Sequence, residues 1–492
     1  MSLPNGQPSA QAGADEEELL YGVEDGFWDC TEPLEDYKPG GFHPIILGDR
    51  LGDNGRFRVV HKLGHGGYGT VWLCQDTLPS TPKWRAVKVM SAKTSTPDCA
   101  DLRAMEAFRG IESLAAENAL HVSTPLEHFW IDGPNGRHLA LVFALCAANA
   151  KYLGTTYGHN RALIKDLCFQ LAKSLEFIHS RGLWHGDFRP SNILLRLCDG
   201  ADALPEETLF KAFYNGGKPR TGRIISLEDG NPVTRASTPS VPEHMVGSVA
   251  VGFHSGLCAA SLAVTDFGVS YSILDPPKEG STGIPLDYAS PEDRFFQREL
   301  LGPPSDIWAL GCCINYLAAN FTHFAQSEEG DDGNTHAARL ESLLGPMPNP
   351  VRAAYKEEHK QEPKLRCFNS EYHNNKKTAH TLQLPYSEKK RNSKNMIYDD
   401  DDDDEQMELR VDDEEADLLF DLLMSIFKWH PKDRATIEEV LNHPWFEGRN
   451  QHAAMVSPPA TGNKSVVGEA LEGVKSYLHI DSAFSLLSGR FP

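Results

Sequence analysis

Two short polar segments in the middle of the chain contain side chains that can carry out acid–base and metal chemistry. Asp187 and Asn192 stand five residues apart in the segment LWHGDFRPSN (183–192), and Asp266 follows an apolar stretch and precedes Phe-Gly. A positioned carboxylate can accept a hydroxyl proton, and carboxylate and amide oxygens are ligands that Mg²⁺ prefers. Polar turns with an Asp and an Asn are common, so neither segment is decisive alone. Their order and spacing favour a site for proton transfer and magnesium binding.

A glycine-rich segment further upstream is suited to hold phosphate groups. It reads Gly-His-Gly-Gly-Tyr-Gly over residues 64–69, and a strand-like run, Thr-Val-Trp-Leu (70–73), follows it directly. Glycines allow unusual backbone angles and let backbone amides approach phosphate oxygens closely. A dinucleotide-binding turn is the competing interpretation, but that turn requires a helix directly after the glycines. The strand-like run instead predicts a hairpin folded over phosphates.

Lys88 lies within the apolar run Ala-Val-Lys-Val (86–89), which is predicted to be a strand. A buried ammonium group without a partner is costly, so a lysine at this position needs a reason. Binding phosphate oxygens is one reason, and an amine that reaches past the apolar surface to solvent is the other. The glycine-rich segment upstream favours phosphate binding.

Apolar patterning in the first part of the chain predicts the strands that would position these residues. Apolar and polar residues alternate from Phe57, and the runs 84–90 and 139–145 have the character of buried strands. One helical stretch is expected near 101–114. This pattern predicts a small β-rich lobe with one main helix.

The second part of the chain is predicted to be helical. Leucines recur at every fourth residue from Leu163 to Leu175, and Gly182 ends the pattern. Further helices are expected at 419–427 and 437–441. A β-rich first part followed by a helical second part predicts an α+β fold of two lobes, with a cleft between them.

The remaining segments are polar or rich in Gly, Pro and Ser, and they define the expected boundaries. In order, the expected segments are a disordered acidic segment (1–36), one domain (37–446) with lobes at about 57–147 and 148–446, and a weakly patterned tail (447–492). Insertions are predicted at about 197–260 and 354–416, and 325–337 is predicted to be a loop.

The formal net charge of −22 over 492 residues is concentrated in two segments. Residues 15–36 contain ten carboxylates and no basic residue, and residues 399–417 contain thirteen carboxylates against Arg410. The rest of the chain is neutral overall, which argues against direct binding to nucleic-acid phosphates because such binding needs a basic surface. An anionic tract attracts basic partners, but such a tract is more often only solvated, and both interpretations remain open.

Neither the apolar runs nor the cysteines indicate a membrane or secreted protein. The longest apolar run, 139–148, is too short to span a bilayer, and the polar, acidic amino terminus has no secretory signal. Ten cysteines are scattered without zinc-ligand spacing. We therefore expect no membrane partner, reduced thiols, and a cytoplasmic or nuclear location.

With these motifs in this order, the chain resembles the eukaryotic protein kinases over about residues 57–446. Three further matches carry the resemblance: Ser-Pro-Glu ending at Glu292, Asp306 in Ser-Asp-Ile-Trp-Ala-Leu-Gly, and Arg434 in His-Pro-Lys-Asp-Arg-Ala. The resemblance implies that Asp306 fixes the backbone of the loop that contains Asp187. It also implies that Arg434 and Glu292 form a buried structural pair.

The resemblance implies ATP as the phosphate donor and Mg²⁺ as its metal. Asp187 would accept the substrate hydroxyl proton, Arg189 would neutralise charge on the transferring phosphate, and Lys88 would bind the α- and β-phosphates. Asn192 and Asp266 would hold Mg²⁺. The residues implied to line the ATP site are Leu63, Gly64, His65, Gly66, Gly67, Tyr68, Gly69, Val71, Ala86, Lys88, Phe143, Ala144 and Cys146.

A narrower resemblance lies outside the catalytic motifs. The lead-in 35–49 is similar to that of the SR protein kinases, and the segment 133–138 with the insertion at 197–260 resembles their fungal group. This implies a Ser/Thr kinase that acts on serine hydroxyls of Arg/Ser-rich proteins such as splicing factors. The Ser-Pro-Glu match disfavours a small-molecule kinase.

Three positions depart from the family pattern. The helix acid that would pair with Lys88 is Asp101 by its spacing, one methylene shorter than the usual Glu, and Glu106 is the alternative. Arg189 replaces a lysine, as in some tyrosine kinases, and Gly186 stands where many kinases have an arginine that binds activation-segment phosphate. A pseudokinase scaffold that binds protein partners and a tyrosine acceptor therefore remain as alternatives.

Overall fold

A computed structural model of the protein describes residues 21–23, 31–79, 83–109, 121–158, 160–213, 218–275, 277, 282–295, 298–319, 334–359 and 413–450. Within these ranges no helix is both long enough and apolar enough to cross a bilayer. Residues 1–20 and 24–30, most of the predicted insertion 354–416 and nearly all of the tail lie outside the described residues. The predictions for those segments stay predictions.

The strands of the first lobe form one antiparallel sheet. The strands of the whole described chain are β1 Tyr21–Val23, β2 Arg50–Leu51, β3 Phe57–Gly66, β4 Gly69–Asp76, β5 Trp84–Met90, β6 Glu127–Gly133, β7 Gly136–Ala144, β8 Cys146–Asn149, β9 Leu183–Trp184, β10 Ile193–Leu197, β11 Thr221–Ser226, β12 His244–Val246, β13 Cys258–Val264 and β14 Tyr271–Ser272. The six-stranded sheet has the order β2-β3-β4-β5-β7-β6. The predicted glycine hairpin is confirmed as the turn from β3 to β4, and β5 has the predicted bounds.

The second lobe is mainly helical, as predicted. The described helices are α1 Ala100–Ala107, α2 Leu153–Tyr157, α3 Arg161–Ser180, α4 Glu206–Lys211, α5 Pro291–Arg294, α6 Pro303–Ala319, α7 Asn334–Leu344, α8 Asn349–His359, α9 Asp413–Ile426 and α10 Ile437–Leu441. Two short sheets, β13-β10-β8 and β14-β9, lie in the same lobe. These strands flank the two polar segments that contain Asp187 and Asp266.

Helix α3 shows why the leucine pattern predicts a helix here. The side chain of Asn160 accepts a hydrogen bond from the Leu163 backbone N–H and caps the first turn. The leucines at every fourth position are all fully buried in the large core, which also contains Trp308 of α6 and Trp445. The helix ends at Ser180, two residues before Gly182, whose φ of +76° favours glycine. An apolar stripe of this kind holds the helix against the core.

The amino-terminal segment differs from its predicted disorder at residues 21–23 and 31–36. Strand β1 pairs antiparallel with β11, and Leu34 is buried against Ile224 and Met245 of the insertion. Glu32 is buried and forms an ion pair with Lys62 of β3, and it also accepts a hydrogen bond from Tyr37. Apart from Tyr37, the partners of this segment lie far away in the sequence, so its acidic composition alone could not indicate them.

Parts of the other predicted loops are also helical. Helix α7 begins within 325–337, α8 extends five residues beyond 354, and α9 begins within the predicted insertion that ends at 416. In α8, Val351 and Tyr355 are buried four residues apart, which gives this polar helix an apolar stripe. The high proportion of charged residues hides that stripe in the sequence. Residues 360–412 lie outside the part of the chain that the structure describes.

Candidate active site

Asp187 and Asn192 are held together by direct hydrogen bonds. The Asn192 side-chain N–H group donates to the Asp187 backbone carbonyl at 2.9 Å and to Asp187 Oδ2 at 2.7 Å. The Arg189 Nε–H group donates to Asp187 Oδ1 at 2.7 Å. Both carboxylate oxygens of Asp187 therefore have a donor, and charge-assisted bonds of this length fix the orientation of the carboxylate. The amide oxygen of Asn192 remains available to a cation.

The backbone of this loop is fixed by a buried carboxylate of α6, as the resemblance implies. Asp306 accepts hydrogen bonds from the backbone N–H groups of His185 at 2.7 Å and Gly186 at 3.0 Å. Its Oδ2 atom also lies 3.0 Å from Nε2 of His179 on α3. The carboxylate thus connects α3, α6 and the loop that contains Asp187. This connection holds the loop rigidly beside the cleft.

Gly186 occupies a position that has no room for a side chain. Its φ is +76°, and an added Cβ atom would lie 2.7 Å from the Val269 carbonyl oxygen and 3.1 Å from the Tyr271 ring. Both the backbone conformation and the close contact favour glycine. Glycine at position 186 is therefore required by the packing of the segment 269–271. An arginine here would displace that segment.

Lys88 lies on the cleft face of β5. In a strand, successive side chains point to opposite faces. Val87 and Val89 pack in the apolar core of the first lobe, whereas Ala86 and Lys88 line a cavity on the other face. The Lys88 ammonium group contacts Asp266 Oδ1 at 2.7 Å and Asp101 Oδ2 at 3.4 Å. This lysine is thus paired with two carboxylates and does not simply extend to solvent.

Asp101 is the helix acid that pairs with Lys88. It lies in the first turn of α1 and is 1% exposed, whereas Glu106 lies near the end of the helix and pairs with Arg109 at 2.6 Å. The spacing in the sequence left open whether Asp101 or Glu106 pairs with Lys88, and the position of the helix assigns this pairing to Asp101. The short Asp side chain reaches Lys88 at a longer distance than Asp266 does.

The charges of this cluster depend on one another. Burial alone would lower the pKa of Lys88, but Asp101 and Asp266 outweigh burial and raise this pKa above its ordinary value. The Lys88 ammonium group holds the pKa of Asp266 below its ordinary value, against the opposing effect of burial. Burial raises the pKa of Asp101, and Lys88 offsets this only in part. The lysine thus stays charged, as binding to phosphate oxygens requires.

Asp266 has a strained backbone conformation. Its φ of +64° lies in the left-handed region, which is costly for residues other than glycine. Strand β13 ends just before it at Val264, and His185 Nε2 lies 3.1 Å from the Thr265 carbonyl oxygen. The surrounding contacts therefore hold the carboxylate at the strand end and direct it towards Lys88. Such strain is typical of functional positions.

A cavity of about 490 Å³ lies between the glycine hairpin, β5, β8 and the loop that contains Asn192. The predicted site residues that line it are Leu63, Gly64, His65, Gly66, Tyr68, Gly69, Val71, Ala86, Lys88, Phe143, Ala144, Cys146, Arg189, Asn192 and Asp266. Asp187 is hydrogen-bonded to two of the lining residues, Asn192 and Arg189. Neither Asp187 nor Gly67 is itself part of the lining. The sequence motifs thus converge on one space.

Several lining residues were missed by the sequence interpretation. They are Ser123, Ala147, Ala148, Asn149, Lys151, Ser191, Leu194, Val249, Ala250 and Thr265. Ser191 and Thr265 are adjacent in the sequence to motif residues, and 147–149 directly follow Cys146. Their position next to predicted site residues could therefore have indicated them. Val249 and Ala250 lie inside the predicted insertion, where no motif pointed to them.

The donor set fits a divalent cation held together with a phosphate-bearing substrate. Asp266 offers a carboxylate and Asn192 an amide oxygen to the same cavity. The described residues contain no group of three His, Cys, Asp or Glu side chains arranged for a metal ion. Mg²⁺ typically takes one or two carboxylates with substrate phosphates and water, so two protein donors are sufficient. Leu63, Val71 and Ala86 add an apolar surface suited to a flat ring.

A second predicted pair is structural. Arg434 donates from Nη1 to Glu292 Oε1 and from Nη2 to Oε2, each at 2.6 Å, and both side chains are almost completely buried. Ser305 also donates to Glu292 at 2.7 Å. Burial would raise the pKa of Glu292, but Arg434 and Ser305 outweigh it and lower this pKa. The pair fastens α5 to the body of the second lobe.

Comparison with known protein families matches the same parts of the chain that contain the motifs. The protein kinase domain family matches residues 57–201 and 257–446. The unmatched stretch between these ranges lies within the insertion predicted at 197–260. The match covers more than half of the chain and includes the glycine hairpin, Lys88 and the segments that contain Asp187 and Asp266.

The individual kinases that are similar to this chain have low sequence identity to it. The chain is 31% identical over 176 residues to the serine/threonine-protein kinase SKY1 of Saccharomyces cerevisiae, which covers 34% of this chain and 23% of that protein. It is 29% identical over 197 residues to spk-1 of Caenorhabditis briggsae, which covers 39% of this chain and 16% of that protein. The chain thus spans less than a quarter of these two relatives.

A longer alignment joins the chain to the serine/threonine-protein kinase SRPK of Physarum polycephalum. The two are 24% identical over 425 residues, which covers 84% of this chain and 91% of the relative. The family match, the two-lobed α+β architecture and the convergence of the motifs on one cleft agree with one another. The chain therefore belongs to the protein kinase family and resembles the SR protein kinases within it.

Proposed function

We propose that the protein is a serine/threonine protein kinase that transfers the γ-phosphate of ATP to serine hydroxyls in Arg/Ser-rich proteins. The observation that carries the proposal is the convergence of Lys88, Asn192 and Asp266 on one cavity under a glycine hairpin, with Asp187 bonded to Asn192. This set can bind phosphate oxygens and a divalent cation and can orient a hydroxyl group. Phosphoryl transfer uses all of these groups together, whereas simple dinucleotide binding would give Asp187 and Asn192 no role.

Each residue has a distinct part in the proposed reaction. ATP and Mg²⁺, when bound, supply the transferable phosphoryl group and neutralise part of its charge. Lys88 binds the α- and β-phosphate oxygens, and Asn192 and Asp266 provide oxygen ligands to the metal. Asp187 accepts the hydroxyl proton, with its carboxylate oriented by Asn192 and Arg189. Positioning and charge stabilisation supply most of the rate enhancement.

The departures from the family pattern are compatible with activity. Asp101 still reaches Lys88, and Arg189 lies on the cavity wall with its cation beside Asp187. Gly186 satisfies a local packing requirement. A pseudokinase scaffold would not need the full set of phosphate and metal groups, so the active enzyme is the better proposal.

The proposed substrate class rests on the relatives and on charge. The chain resembles kinases named SKY1, spk-1 and SRPK, and its lead-in at 35–49 is similar to that of the SR protein kinases. The acidic tract that begins at 399 would attract arginine-rich segments electrostatically, and its first part (399–412) lies outside the described residues. The proposed location is the cytoplasm or the nucleus, where reduced thiols persist.

A transfer assay with a matched peptide panel tests the proposal. Full-length protein with Mg-ATP is incubated with Arg/Ser, Arg/Thr and Arg/Tyr repeat peptides and with a Lys/Ser peptide of equal charge. We expect phosphate incorporation into the Arg/Ser peptide, weaker incorporation into Arg/Thr, and none into Arg/Tyr. Absence of transfer to every peptide and to a mixed protein acceptor would favour the scaffold. Preferential labelling of Arg/Tyr would overturn the serine assignment.

Activity is expected to be independent of activation-segment phosphorylation. Gly186 stands where many kinases have an arginine that binds such a phosphate. The activation segment, which the family resemblance places from Asp266 to Glu292, is held by other contacts. The Tyr271 ring stacks on Trp184 with their ring centroids 4.9 Å apart, and the Thr282 hydroxyl donates to Asp293 at 2.9 Å. Treatment with a broad-specificity phosphatase, followed by removal of the phosphatase, should leave the transfer rate within about twofold of mock-treated protein. Loss of activity that returns on autophosphorylation would contradict this prediction.

A further inference from the structure

The insertion between β10 and β13 returns across one end of the candidate nucleotide cavity. Ser248 pairs in parallel with Lys62 of β3, and the Val249 N–H group donates to the Lys62 carbonyl at 3.0 Å. Two residues later, the Val251 carbonyl accepts a hydrogen bond from the Ala148 N–H group of β8 at 3.1 Å. The insertion thus bridges the strand that leads into the glycine hairpin and the strand that follows the connection between the lobes.

The bridging stretch 246–253 is anchored in both lobes. Val246 is 1% exposed and packs in the apolar core of the first lobe with Val59 and Trp72. Val251 and Phe253 belong to the large core that contains the buried faces of α2 and α3, and the Phe253 carbonyl accepts a hydrogen bond from the Tyr157 hydroxyl of α2 at 3.2 Å. Residues between two buried anchors have little freedom to move away.

The beginning of the insertion is also fastened to the first lobe. The Trp84 indole N–H group of β5 donates to the Leu204 carbonyl at 2.7 Å. Arg58 of β3 pairs with Glu206 of α4 at 2.6 Å, and the His61 ring contacts Phe210. The insertion is therefore a packed part of the domain and not a loop directed away from it.

Between the anchors, Val249 and Ala250 are half-buried and line the cavity. Their hydrogen-bonded neighbours place them at the end that contains Leu63 and Ala148, beside the interlobe connection. The glycine hairpin, Lys88 on β5 and Asp266 after β13, which would contact phosphates, come from other elements that line the cavity. The two side chains therefore face the part of the cavity left for the base and the sugar.

We propose that Val249 and Ala250 of the insertion form an apolar wall of the nucleotide site and limit the size of base and sugar that this site accepts. The inference deepens the proposed function and rests on it for the identity of the ligand, a purine nucleoside di- or triphosphate. An apolar wall at this position removes ring surface from water and leaves no space for larger substituents. The family match omits 202–256, so Val249 and Ala250 lie outside the part of the chain that the family describes.

The test measures binding and does not depend on phosphate transfer. Isothermal titration of full-length protein with Mg-ADP gives the Kd of wild type, Ala250→Trp and the matched control Ala236→Trp, whose position is exposed in the same insertion. We expect the Kd of Ala250→Trp to rise about tenfold or more, because the indole fills the ligand volume. The control should stay within about twofold of wild type. Wild-type affinity in Ala250→Trp, with both proteins folded by circular dichroism, overturns the proposal.

A second variant covers the case in which Ala250→Trp does not fold. Val249→Ala enlarges the space at the wall, so binding of N-methylanthraniloyl-ADP, which carries a bulky sugar substituent, should improve about threefold relative to ADP. An unchanged ratio of the two Kd values overturns the proposal. If both variants behave as expected while no peptide is phosphorylated, the kinase proposal fails and the wall stands. If peptides are phosphorylated but neither variant alters binding, the wall fails and the kinase proposal stands.

Discussion

Replacement of Asp187 by Asn is expected to reduce phosphate transfer to an Arg/Ser peptide by about 10²–10⁴-fold, the range that a positioned general base contributes. The amide keeps the shape of the side chain and can still accept from Arg189 through its oxygen. It cannot take up the substrate proton, and its N–H group opposes the donor of Asn192. The initial rate of transfer at saturating ATP measures the loss.

Two comparisons make this prediction specific. Asp132→Asn is the matched control, because the Asp132 side chain is 88% exposed on β6, and its transfer rate should equal that of wild type. Asp187→Asn should also retain Mg-ADP binding within a few fold, since Asp187 is not part of the cavity lining. A variant that transfers phosphate at the wild-type rate would remove Asp187 from the mechanism. Loss of both folding and nucleotide binding would assign it a structural role instead.

Replacement of Arg434 by Met is expected to lower the free energy of unfolding by about 3–5 kcal/mol. The substitution leaves the Glu292 carboxylate completely buried with Ser305 as its remaining side-chain donor. An uncompensated buried charge costs far more than the pair contributes. Urea unfolding followed by tryptophan fluorescence measures the change.

Two further variants separate burial from charge. Arg109→Met removes a pair whose side chains are 72% and 59% exposed, and it should cost no more than about 1 kcal/mol. The double variant Glu292→Gln with Arg434→Met should recover part of the loss, because no buried charge then remains at this pair. Equal costs for Arg434→Met and Arg109→Met would contradict the argument.

The pH dependence of this pair has a definite sign. Pairing holds the pKa of Glu292 below its ordinary value in the folded protein. The stabilisation is therefore complete above the ordinary Glu pKa, and it is lost as the pH falls through the lowered folded value. The difference between wild type and Arg434→Met should accordingly shrink in acid.

Sequence reasoning was effective wherever function depends on short segments. The glycine hairpin, Lys88 on its strand and the Asp187–Asn192 loop are each defined by residues a few positions apart. The strand at 84–90 and the helix ending before Gly182 follow from local apolar periodicity, since one buried face suffices to specify each element. Order along the chain then predicted that these segments share one cleft.

Contacts between segments that are distant in the sequence could not be predicted from local residue patterns. Whether Asp101 or Glu106 pairs with Lys88 depends on where α1 begins and how it lies against β5, and only packing decides this. The strand β1 exists because β11, from the insertion, offers it a hydrogen-bonded edge. Acidic composition predicts disorder for 1–36 as a whole and does not indicate the apolar residues that find a partner.

By itself, the sequence determined the family and the two-lobed α+β architecture, and it predicted the residues proposed to bind phosphate and metal, because these depend on residue type at fixed short spacing. The tertiary structure alone decided the partner of Lys88, the need for glycine at 186 and the place of the insertion. The physical reason is that the insertion is fixed by single hydrogen bonds and buried side chains from distant strands. Its residues Val249 and Ala250 thereby reach a site to which no local pattern assigned them.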